Sequence, residues 1–150
     1  MTKEVLVSIK GLQLTPEDME ETIEVIAPGD YYYKNDKHFV LYDEIAEDTA
    51  EVTKNIIKAA EGYMEVTKKG PSTVHMTFEA GKKTVTYYYT PFGGLHIGID
   101  TKKVAVEETE DKISINAMYD LEINYEFVAA CNITVEVDAK NSKAFKIIKE

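Results

Sequence analysis

Arginine is absent from this chain of 150 residues, so all 17 basic residues are lysine. Bidentate recognition of guanine, phosphate or carboxylate relies on the planar guanidinium fork, and this chain has none to offer. The 27 acidic residues leave a net charge of −10, which repels a nucleic-acid backbone; nucleic acid is not an expected partner. Tryptophan is absent too, and the one cysteine, Cys131, cannot close an internal disulfide. That usage predicts a reducing, cytoplasmic setting. No stretch approaches the roughly 20 apolar residues of a membrane span. The first residues lack the roughly 7–15-residue apolar core of a secretory signal, so neither membrane nor export is expected.

The recognisable signatures of catalysis are also missing. Ser8, Ser72, Ser114 and Ser142 lie outside any Gly-x-Ser-x-Gly elbow. Gly93, Gly94 and Gly98 precede no helix, so they make no dinucleotide fingerprint. Cys131 falls on the apolar face of its strand, where a thiol is usually an inert core residue. His38, His75 and His96 lie on three separate strands, and the pairing derived below sets His75 and His96 two strands apart, too far for a shared metal. No catalytic residue, metal or cofactor is expected, and an enzyme is the least favoured class.

What the sequence does contain is alternation. Hydrophobic residues make up 44% of the chain, close to the globular average, so one folded domain over residues 1–140 with a basic tail at 141–150 is expected. The dominant period is two, the strand signature. Val5, Val7 and Ile9 alternate in a first strand ending at Gly11. Thr15 and Pro16 could open one helical turn, after which Thr22 to Ile26 reads as strand and Pro28-Gly29 as a bend or bulge. Asn35-Asp36 predicts a tight turn into a third strand, 43–51 an acidic loop, and Glu61-Gly62 a turn between strands at 53–59 and 63–68.

Two hairpins follow. With Ala80-Gly81 as one loop, Met76 faces Val85 and Val74 faces Tyr87. With Pro91-Phe92-Gly93 as a three-residue loop, Tyr89 faces Leu95, Tyr87 faces Ile97 and Val85 faces Ile99. One apolar face then runs across three strands. Val104 to Val106 predicts a further short strand. Ile113 to Ile123 and Cys131 to Val137 predict long alternating ones. About eight to ten strands with no convincing long helix imply an all-β, antiparallel sheet, closed or nearly closed into a barrel to remove its edges.

The segments Thr86 to Ile99, containing Thr90-Pro91-Phe92-Gly93-Gly94, and Tyr119-Asp120-Leu121-Glu122-Ile123-Asn124 resemble the YwiB-like family of uncharacterised bacterial proteins. The resemblance spans about 3–138 and includes the Gly81-Lys82-Lys83 turn. It implies a calycin-like barrel, similar to lipocalins and fatty-acid-binding proteins, and brings no functional residues.

Ten tyrosines are the compositional oddity. An interior of about eight strands either fills with side chains or holds one small ligand. The first functional reading is a small hydrophobic or amphipathic ligand inside the barrel, lined by Tyr42, Val74, Met76, Tyr87, Tyr89, Ile97 and Tyr119. The alternative is a filled barrel acting as a homodimer or partner-docking module, with Tyr31, Tyr32, Tyr33 and Phe92 as contacts.

Overall fold

A computed structural model describes residues 3–11, 24–45, 48–70, 73–90 and 93–140. The expected turn at Thr15-Pro16, the loop residues 46–47, Phe92 and the tail 141–150 lie outside them. Ten strands follow in order: β1 Glu4–Lys10, β2 Glu24–Lys34, β3 Lys37–Ile45, β4 Val52–Ala60, β5 Tyr63–Lys69, β6 Thr73–Glu79, β7 Lys83–Thr90, β8 Gly93–Glu108, β9 Lys112–Ile123 and β10 Glu126–Ala139. They form one antiparallel sheet in the order β6-β5-β4-β3-β2-β1-β10-β9-β8-β7, curled into a nearly closed barrel.

Alternation directs the core. Val5, Val7 and Ile9 of β1, the odd residues 113–123 of β9 and the odd residues 131–137 of β10 are all buried, in one cluster with Val40, Ile57, Met64, Met76 and Phe78 of β3 to β6. Pro28 and Gly29 stay within β2 rather than bending it, paired to Leu6 and Val5. Tyr31 donates its N–H toward β1, so the alternating N–H of position 28 would point toward β3, whose ladder begins only at Gly29. Proline removes nothing there. Asn35 and Asp36, with φ of 53° and 63°, form the expected two-residue hairpin turn.

Two expectations fail at the hairpins around β7. First, β6 and β7 are the two ends of the sheet order and share no ladder; β7 Thr84 donates its hydroxyl to the Thr77 carbonyl across the seam. The connecting turn spends its backbone groups elsewhere: Ala80 N–H on Gly62 O, Gly81 N–H on Thr101 O, and Lys82 O accepting from Thr101 N–H. Second, β7 and β8 pair one residue out of the expected register, Thr90 with Gly93 and Val85 with Gly98, so 91–92 is a two-residue connection. A slip of one residue turns every side chain over. Val85, Tyr87 and Tyr89 therefore face outward, 49%, 57% and 72% exposed, while Thr84, Thr86 and Tyr88 take the half-buried side. The expected short strand at Val104 is the second half of β8, which continues through a bulge between Thr101 and Lys103.

Candidate functional site

Of the seven expected lining residues, the structure brings five inside: Tyr42, Val74, Met76, Ile97 and Tyr119 are 0–4% exposed. Tyr87 and Tyr89 are the exceptions, for the register reason above. Around them Phe78, Met64, Met76, Ile97 and Leu121 are each 0% exposed. Phe78 of β6 meets Tyr119 of β9 edge to face, ring centres 4.9 Å apart, joining the two ends of the sheet inside the barrel. Cys131 is cross-strand to Tyr119, and burial pushes its thiol pKa up, which makes it a poor nucleophile.

Besides the buried Thr101 and Asp138, two polar clusters interrupt this interior. Toward one end, Tyr42, Asn55 and Lys68 are successive cross-strand partners on β3, β4 and β5. The Lys68 ammonium donates to Glu44 Oε1 and to Asn55 Oδ1, both at 2.9 Å, so the buried amide and ion are satisfied. The Tyr42 hydroxyl is buried with no hydrogen-bond partner at normal distance; burial, then the nearby Glu44 carboxylate, raises its pKa. Toward the other end, the Tyr31 hydroxyl donates to His38 Nδ1 at 2.8 Å, and His38 Nε2 lies 3.7 Å from Glu108 Oε2. His38 is 7% exposed, so it belongs to the core, whereas His75 is exposed and His96 half-buried. Burial lowers its pKa below 6.5, with Glu108 opposing, and raises that of Tyr31 to about 12.

The sign of the His38 shift fixes an outcome. The unfolded chain takes up the imidazole proton before the folded one, so this group's contribution to stability declines as pH falls from about 6.5 toward the lower folded value. Thermal melts from pH 7.5 to 5 should show this loss in the native chain and a flatter profile in His38→Gln, whose amide does not titrate. Parallel profiles would mean that His38 is not held neutral.

The outer face carries a different chemistry. Tyr87 pairs with His96, their rings 5.3 Å apart and edge-on, and Tyr125 stacks on His96 at 4.2 Å and 26°. Tyr89, 72% exposed, is two residues along β7 from Tyr87, and Phe127, 63% exposed, is two residues along the chain from Tyr125. Tyr125 is 77% exposed and occupies the second position of the two-residue β9–β10 turn at φ 72°, after Asn124 at φ 51°. Such turns favour glycine at that position, and a bulky residue there is strained. Asn124 clamps the turn to β8, its Oδ1 accepting from His96 N–H at 3.1 Å and its N–H donating to His96 O at 2.8 Å. Sequence reading missed this cluster because the register error sent Tyr87 and Tyr89 inward. The legible signal was an Asn-Tyr pair where Asn-Gly is usual.

A family model described as a domain of unknown function, DUF1934, matches residues 7–135. The chain belongs to the DUF1934 family. Among solved structures, the DUF1934 barrel is similar to the crystal structure of the ywiB protein from Bacillus subtilis, with a TM-score of 0.65 and 26% sequence identity over 91% of this chain and 88% of that one. No curated protein matches. The resemblance read from the hairpin residues thus holds at the level of family and fold, and the family brings no activity with it. Among the described residues, no helix is long and apolar enough to cross a membrane, which says nothing of strands.

Proposed function

We propose that this DUF1934 chain is a protein-docking module: a filled, rigid barrel that displays Tyr87, Tyr89, His96, Tyr125 and Phe127 to a partner segment bearing lysine or arginine among apolar residues. Tyr125 carries the reading. The fold holds a ring in a left-handed turn position better suited to glycine and leaves it 77% exposed. Strain of that kind, of order 1–3 kcal/mol, concentrates at functional positions. Exposed rings attract cations over their faces. Glu126 is exposed between Tyr125 and Phe127, and the chain's charge of −10 steers basic partners and repels a second copy.

Tyr125→Gly separates display from stability. It should keep or raise the melting temperature, because glycine relaxes the turn. It should also weaken binding of basic–apolar peptides, selected against the native protein from a displayed library, at least tenfold, with affinity falling as salt rises. A selection that returns no such peptides, or peptides that bind Tyr125→Gly unchanged, would remove the proposal. A concentration-dependent dimer dissolved by Tyr125→Gly would put a second copy in the partner's place.

The interior ligand has in its favour the buried hydroxyls of Tyr42 and Thr101, which lack a hydrogen-bond partner. Native mass spectrometry of the freshly purified protein tests it, and a spectrum of unliganded chain alone sets it aside.

A further inference from the structure

Away from the aromatic cluster, the outer surface of β2 to β5 is hollowed into a groove of about 570 Å³. That lies within the roughly 300–1,000 Å³ of small-molecule sites. The outward residues Leu41 and Ile56, cross-strand partners, form its apolar middle with Pro28, and Ile45 stands at one end. Gly29, Tyr42 and Asn55 contribute the floor. Beneath the groove β2 approaches β3 closely at Gly29, where a Cβ would come within 2.6 Å of the Leu41 carbonyl oxygen.

Beside this apolar strip two lysines, Lys54 and Lys69, are direct cross-strand partners and both line the groove. Like charges placed directly opposite are unfavourable. Among the described residues neither makes an ion pair within 4.0 Å, whereas Lys58, Lys68, Lys83, Lys102 and Lys112 do. Asp43, cross-strand to Lys54 on its other side, and Asp30, cross-strand to Leu41, also line the groove, and the lysine pair lies at the β4–β5 side away from Asp30. An apolar strip with a cationic pair alongside matches an apolar chain with one anionic head.

We propose that this groove binds a single-chain amphipathic anion, its head between Lys54 and Lys69 and its chain along Leu41, Ile56 and Pro28. The site is outside the barrel, distinct from both the core and the aromatic cluster, so it stands or falls independently of the docking function. The probe is dodecanoate below its micelle concentration, followed by calorimetry and by amide chemical shifts. Saturable one-to-one binding is expected, with shifts concentrated at Leu41, Lys54, Ile56 and Lys69. The double variant Lys54→Gln/Lys69→Gln should weaken it at least tenfold, dodecanol should bind at least tenfold more weakly than dodecanoate, and Asp43→Asn should tighten it. Circular dichroism and melting of each variant report that the barrel is intact. If the double variant does not fold, Leu41→Glu supplies the test by placing an anion in the strip. The proposal is overturned by an absence of saturable binding, by affinity unchanged in the folded variant, or by shifts centred on interior residues such as Val66, Met76 and Leu121.

Discussion

Tyr119→Ala should cost about 3–5 kcal/mol of stability, read from the urea midpoint at constant m-value. The native ring is 2% exposed and packs edge to face with Phe78 from the other end of the sheet, so its removal leaves a hole among strands fixed by their ladders. Domains of this kind hold only about 5–15 kcal/mol in all, which makes the loss a large share of the total. The size of the effect separates the two readings of the interior. A barrel built around a ligand cavity would already have space beside the ring, and truncation there should cost less than about 1.5 kcal/mol. The large value therefore favours a solid platform, and the small one an internal site.

Gly29→Val should lower the melting temperature by roughly 6–12 °C, from a loss near the upper end of about 1–3 kcal/mol. Gly29 does not adopt a left-handed conformation, and valine suits extended backbone, so propensity alone would favour the change. Space decides the outcome. A Cβ at this position meets the Leu41 carbonyl oxygen at 2.6 Å and Val7 Cγ2 at 2.9 Å. The first contact is with backbone in a laddered strand, which cannot step aside without parting β2 from β3. A Gly29→Val barrel melting within 2 °C of the native one would show that the two strands have room to separate.

The parts of this fold that were legible in the sequence are those where one face is oily and the other wet. Ile113 to Ile123 and Cys131 to Val137 alternate cleanly, and every odd residue there is buried as expected. β7 was misread because Tyr87, Tyr88 and Tyr89 leave both of its faces aromatic, so hydrophobicity could not choose a register. The choice fell to loop length, and two residues connect the strands where three were assumed. The error propagated to the candidate site: the two tyrosines assigned to the interior belong to the outer cluster with His96 and Tyr125. His38 and Asn55 were unreadable for another reason. Each is a polar residue on an inward position, made tolerable by partners distant in sequence or on other strands, Tyr31 and Glu108 for the imidazole and Lys68 for the amide.

The pairing of β1 with β10, from Val5 with Ala139 to Lys10 with Thr134, has a consequence for synthesis. One edge of β1 pairs with β2, made soon after it, but its other edge waits for nearly the whole chain to be translated. Until the ribosome releases β10, the valine-rich flank of β1 offers its unmet amides and carbonyls to any passing strand. A message truncated before residue 126 would leave that flank open permanently, and its product would be expected to aggregate rather than persist as a smaller barrel.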